Sequence, residues 1–300
     1  MLDYGKYEAK RQEILSVYQK ELKTGILLAV LAVILAVVSF ATEIGFLLVP
    51  AILLFVFATV FFAKGAKHYQ AFRHIVKSEI ITALLKQSFE QVTYSPKSMI
   101  SVQRINQTQM IRRPDRYSGE DLITGSYKDV SFEVSDIDLK QRVETRDSKG
   151  NVHVSYQTYF KGRWYIFKFE RTFKETLKIG EGSSFNMNRK GLVKIDTESI
   201  EFNKKFSIFA SNQEHGFYLI TSSMIEKLLE LEKMHRGSIH YCFMNNELHV
   251  GVNDNKDYLE ISIKKPINEE TIKSFMTDIN MVPAIINELR LDSQKFKNQK

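Results

Sequence analysis

The sequence predicts a two-helix membrane hairpin followed by a cytoplasmic α+β region whose sheet is largely antiparallel. Three observations predict it. A single apolar block covers residues 24–63 and is interrupted only at Thr42-Glu43. Basic residues flank both outer ends of that block and are absent from its interruption. Beyond it, apolar residues recur at helical spacing to about residue 110, and from about Leu122 they alternate with polar ones.

The block fixes the first element. About 40 residues in one helix would extend roughly 60 Å, whereas a bilayer core is about 30 Å thick and takes about 20 apolar residues per crossing. One span is too long and two fit, at residues 24–41 and 44–63, turning at Thr42, Glu43 and Gly45. Pro50 falls near the start of the second span, where a missing N–H costs little. A signal peptide is not expected, because the run is too long and Asp3, Glu8, Glu13 and Glu21 precede it. Lys10, Arg11, Lys20 and Lys23 before the block, with Lys64, Lys67, Arg73 and Lys77 after it, predict that both termini are cytoplasmic. Glu43 is the only charge in the block, so neither span offers an ion path or a proton relay. Ala29, Ala32 and Ala36 fit a closely packed face of the first span.

The domains follow in order: a cytoplasmic amphipathic helix (1–23), the hairpin (24–63), a juxtamembrane helical stalk (64–114), a sheet-rich part (115–180) and an α+β part with a C-terminal helix (181–300). In the N-terminal helix Leu2, Tyr7, Ile14, Leu15, Tyr18 and Leu22 form an apolar stripe. In the stalk, Phe72, Val76, Ile80 and Leu84 stand at four-residue steps, and the two stripes can cover each other. Ser95-Pro96 reads as the opening of a short helix through Met110. Val130, Phe132 and Val134 then alternate with polar residues, as do Val152, Val154 and Tyr156 after a turn at 147–151. Residues 159–169 are an aromatic strand with a turn or bulge at Lys161-Gly162, and 180–184 a loop without the features of a phosphate-binding one. A strand at 192–195, a helix at 197–205 and a strand at 206–209 follow. Next comes a helix at 224–235 with Ser223 and Glu226 spaced as a capping box. Residues 239–244 and 248–252 read as a hairpin around Asn245-Asn246. A last helix spans about 268–291, with Pro283 expected to kink or split it.

Several of these segments resemble a family. Asp115-Arg116-Tyr117-Ser118-Gly119-Glu120-Asp121-Leu122-Ile123-x-Gly125 is similar to a motif of a bacterial family of uncharacterised two-span membrane proteins, catalogued only as a domain of unknown function. Tyr159-Phe160-Lys161-Gly162, Ile200-Glu201-Phe202-Asn203-Lys204-x-Phe206 and Asn212-Gln213-Glu214-x-x-x-Tyr218-x-Ile220-Thr221 match in the same order, as does Met224-Ile225-Glu226-Lys227-Leu228. Ser222 departs, standing where the pattern usually has proline. The resemblance implies a bacterial integral membrane protein with a cytoplasmic α+β region, and it implies no reaction.

Candidate sites are few. Asp115, Arg116, Glu120 and Asp121, with the turn glycines Gly119 and Gly125, form either a docking site or a structural joint. Arg112 and Arg113, with Lys64, Lys67 and Arg73, are placed to meet anionic head groups. The expected hairpin sets Cys242 opposite His249, a pair that could activate a thiol, although no third orienting group is identifiable. The other histidines, including His68, His74, His215, His235 and His240, lack partners at metal-ligand spacing, so no metal and no cofactor is expected. A single cysteine excludes an intrachain disulfide. The net charge of +7 follows the second span and carries no nucleic-acid motif, so the bilayer is the expected partner rather than nucleic acid. The leading expectation is a non-enzymatic protein that anchors a module for an unidentified protein partner at the inner face of a bacterial cell membrane. An anionic-lipid-binding module is the alternative, and a thiol-dependent enzyme a weaker one.

Overall fold

The computed structural model describes residues 3–182, 187–233 and 237–298. The chain divides into two compact units, residues 1–83 with 260–276 and residues 84–259 with 277–300.

In the first unit a helix α1 (Tyr4–Thr42) opens at Asp3, whose side chain accepts from the Lys6 N–H at 3.1 Å. It ends at Glu43, left-handed at φ 58, where Ser39 Oγ donates to Ile44 O at 2.9 Å. A single 3₁₀ turn leads into α2 (Leu48–Ile75), with Pro50 in its first turn. The turn is where the break in apolarity put it. α1 and α2 are long and apolar enough to cross a membrane. The buried positions Gly25, Ala32 and Ser39 in α1, and Ala51, Ala58, Gly65 and Phe72 in α2, recur every seven residues. A seven-residue repeat makes two helices wrap with a left-handed twist, and the small side chains let the backbones approach closely. A Cβ on Gly25 would stand 2.9 Å from the Phe62 ring. Of the expected face, Ala32 is buried and Ala29 and Ala36 are half-buried.

The stripes beyond α2 do not continue as one α-helix. Residues Val76–Ile81 form a π-helical turn before α3 (Thr82–Ser88). In the base of the unit the buried Arg11 donates to Ile263 O at 2.6 Å, and Glu8 accepts from Arg11 Nε at 2.8 Å and from the Ile267 N–H at 2.7 Å. The hydrogen bond from Arg11 holds the Glu8 carboxyl down at about 2.

The second unit is built on a seven-stranded antiparallel sheet. Its strands are β1 (Gln91–Ser95), β2 (Arg116–Tyr127), β3 (Val130–Arg146), β4 (Val152–Glu181), β5 (Val193–Ile195), β6 (Phe206–Ala210) and β7 (Ser238–Asn253). β4 has β3 and then β6 along one edge and β7 along the other. The sheet therefore runs unbroken through Gly180. The helices are α4 (Val102–Gln107), α5 (Ile200–Lys205), α6 (Gln213–Leu219), α7 (Ser222–Lys233) and α8 (Glu269–Glu288), the last beginning in the first unit. Ile105, Ile137, Leu139, Phe160, Trp164 and Cys242 form one buried cluster.

Three expectations are corrected here. Ser95-Pro96 opens no helix. Val92 and Tyr94 pair with Gly125 and Ile123 as β1, and α4 begins only after Ser101. Thr221, not Ser223, caps α7, its Oγ1 accepting from the Met224 N–H at 3.3 Å, while the helix's expected end at His235 lies outside the described residues. Residues 239–252 are one strand, not a hairpin. Tyr241, Cys242 and Phe243 pair with Ile179, Lys178 and Leu177, and Leu248 and Val250 pair with Phe167 and Tyr165. The apolar alternation changes phase between Phe243 and Leu248. A tight turn or a bulge would both produce that shift, and here Asn245, at φ 53, takes it up within a continuous strand. α8 is not split at Pro283, and it is capped by Asn268, which accepts from the Thr271 N–H at 3.0 Å.

Candidate functional site

β2 carries the motif that the sequence singles out. Its register with β3 slips between Glu120 and Ile123, a bulge in which Asp121 adopts φ 61. There the Asp121 N–H donates to Pro96 O, and its fully buried carboxylate accepts from Tyr94 Oη at 2.6 Å. A Cβ on Gly119 would stand 2.3 Å from Asp136 O, and one on Gly125 2.5 Å from Gln91 O, so both positions require glycine for the chain to approach so closely. Asp115 accepts from the Arg142 N–H at 2.7 Å. The Arg116 guanidinium lies 3.5 Å from the centre of the Tyr156 ring. Most of the motif is thus spent on the joint between β1, β2 and β3.

Glu120 and Gly119 also line a cleft of about 240 Å³ with Ser118, Asp136, Asp138, Lys161 and Asp257. Asp136, on its lining, belongs to a buried ion pair that the sequence did not reveal. Asp136 accepts from Arg163 Nε at 2.8 Å and from the Tyr258 N–H at 2.7 Å, and the guanidinium stacks 4.3 Å from the Tyr258 ring centre. Burial raises the Asp136 carboxyl to about 6, against the lowering pull of Arg163. Burial pulls Arg163 down, and Asp136, Tyr165 and Asp278 outweigh it, so the guanidinium stays above its ordinary value. Lys161 donates to Asp257 at 2.9 Å, which raises its pKa, and Asp138 accepts from Thr158 and pairs with Lys140. Acidic and basic groups therefore face one another across the cleft. The signal in the sequence was an arginine between Gly162 and Trp164 in an otherwise aromatic strand.

Arg112 and Arg113 lie on a second cleft of about 300 Å³, shared with Asn106, Gln109, Ile111, Met187 and Asn188. Of the other basic candidates, Lys64 and Lys67 are exposed on α2. Arg73 differs: its Nε donates to Glu260 at 3.2 Å, and Lys77 pairs with the same carboxylate at 2.6 Å, so it is engaged within the protein.

Cys242 and His249 do not meet. They stand seven residues apart on one strand, on the order of 20 Å at the usual rise. Burial pushes the Cys242 thiol up to about 12, which opposes thiolate formation. His249 is held elsewhere. Trp164 Nε1 donates to its Nδ1 at 3.3 Å, leaving the ring proton on Nε2, 3.1 Å from Glu247. Burial lowers its pKa. The residue that does face Cys242 is Lys178, buried, its ammonium donating to Gln109 O and Asn188 O at 3.3 Å each, and burial lowers its pKa too. His235 lies outside the described residues.

No curated protein matches the chain. Among solved structures, the mycobacterial trehalose monomycolate transport factor A matches at 8% identity and a TM-score of 0.37, over 69% of this chain and 96% of that one. Residues 158–291, from within β4 to just beyond α8, match the family described as "Protein of unknown function (DUF3137)", so that a domain of unknown function follows the apolar hairpin and the Asp115–Gly125 motif precedes the matched stretch.

Proposed function

We propose that the hairpin spans a bacterial cell membrane with both ends on the cytoplasmic side, and that the second unit is a non-enzymatic module that binds another protein there. The observation that carries the anchoring is an inverted pattern of exposure. Small residues lie between α1 and α2, while Leu27, Val33, Val37, Phe40, Phe46, Phe55 and Phe57 face outward, Phe40 at 76% exposure. A water-soluble helical pair places its large apolar residues inside, whereas an outward apolar surface of this extent suits lipid. Glu43 at the turn and the basic residues at the open end supply the orientation.

The binding role is supported by a two-stranded ribbon. Beyond Phe160 the paired ends of β3 and β4 are exposed on both faces and display Val152 and Val154. Apolar residues on a ribbon without core beneath it suit a partner surface.

Two experiments test the reading. In a Cys242→Ser background, single cysteines at Lys6 and Glu43 are treated with a membrane-impermeant maleimide on intact cells. Labelling at position 43 alone is expected, and labelling at position 6 overturns the topology. A photo-crosslinking residue at Val154 is then activated in native membranes. One stoichiometric protein adduct is expected, and no adduct there or at Val152 counts against a protein-binding role.

A further inference from the structure

The cleft between α4 and the chain leading into β5 has an unusual balance of charge. Arg112 and Arg113 line it together with the amides of Asn106, Gln109 and Asn188, and no carboxylate lines it among the described residues. The nearest acid in sequence, Asp115, is committed to the Arg142 N–H. Arg112 uses one nitrogen on Gln141 at 2.7 Å, and Arg113 has no ion pair among the described residues. Lys178 is a buried residue, 4% exposed, and its ammonium reaches the carbonyls of two cleft residues, Gln109 and Asn188, at 3.3 Å. Among the described residues this ammonium meets two long carbonyl contacts and no carboxylate, whereas a buried cation ordinarily has a counter-charge.

Two guanidinium groups line one cavity that has no carboxylate on it among the described residues, and the Lys178 ammonium lies behind two of its lining residues. We propose that this cleft binds the phosphate of a phosphomonoester or phosphodiester, with the two guanidinium groups as its direct donors and Lys178 as the buried positive charge behind them. Guanidinium groups fit phosphate oxygens in pairs, and the cavity of about 300 Å³ has room for the group with part of its substituent. The inference is independent of the protein partner proposed above. Two sources share this chemistry, a lipid head group and a free phosphate compound.

The test uses the full chain in dodecyl maltoside micelles, which carry no phosphate, titrated calorimetrically with glycerol 3-phosphate at physiological ionic strength. Saturable binding at one site is expected, weakened about tenfold or more in R112Q/R113Q, since each phosphate–arginine contact is a charge-assisted hydrogen bond. The control K64Q/K67Q, on the other unit, should bind as the parent does. Repeating the titration in phosphatidylglycerol nanodiscs identifies the source. Suppressed binding means that the lipid head group already fills the cleft, and unchanged binding means that a free phosphate compound is the ligand. The proposal is overturned if no saturable binding occurs in the micelles. It is equally overturned if R112Q/R113Q binds like the parent, or if K64Q/K67Q loses binding to the same extent.

Discussion

Replacing Arg163 with methionine keeps most of the side-chain volume but leaves Asp136 with a single donor, the Tyr258 N–H. Both members of the pair are buried, with side chains 1% and 8% exposed. Removing one partner of a buried pair typically costs about 3–5 kcal/mol, because the survivor is an uncompensated charge. Arg163→Met should therefore destabilise the second unit by about that amount near neutral pH. The double variant D136N/R163M removes both charges of the pair and should recover much of the loss. Trp164, the only tryptophan, is fully buried beside Arg163 on β4, so its fluorescence follows urea unfolding of this unit in the micelle-solubilised full chain. The pH dependence has a definite sign. A carboxyl whose folded pKa is raised, here to about 6 from 3.8, contributes most stability below its unfolded value and loses it as pH rises through the folded one. Without arginine that folded value rises further, so the deficit of Arg163→Met should shrink between about pH 7 and pH 5. A deficit under about 1 kcal/mol, or a double variant no more stable than the single one, would refute the reasoning.

Three further expectations concern other parts of the chain. Gly25→Leu drives a side chain into the Phe62 ring and should force α1 and α2 apart, lowering the thermal midpoint of the solubilised hairpin by circular dichroism, whereas Leu27→Ala on the outward face should leave it unchanged. Cys242, the sole thiol and fully buried, should resist maleimide in the native protein and react to one equivalent in urea; fast native labelling would contradict its burial. Glu8→Gln removes the carboxylate between Arg11 and the Ile267 N–H, so that amide should exchange its hydrogen faster. Because the Glu8 pKa is lowered, the stability this carboxylate contributes is present above its ordinary 4.5 and is lost as pH falls through about 2.

The motif at 115–125 shows how much of the site was legible. Its glycines announced close backbone approach, and Gly119 and Gly125 do lie against carbonyl oxygens. Which charges would remain on the cleft was not legible, because Asp115 and Asp121 are taken up by Arg142 and Tyr94, 27 residues away in each case. The supposed Cys242–His249 pair failed for a related reason. Local alternation on both sides of Asn245 fits a hairpin and a bulged strand equally, and only pairing with β4 chooses between them.

The sequence by itself determined the apolar hairpin and its turn, since helix length and outward apolarity are properties of consecutive residues. It also determined the alternation that makes an antiparallel sheet. The tertiary structure decided which strands pair and what packs over each charge: Asp136 with Arg163, Glu8 with the Ile267 N–H, Lys178 beneath the arginine-lined cleft. Periodicity reports which face of an element is apolar, but the environment of a charge depends on what packs over it, and that is set by contacts between residues distant in the chain.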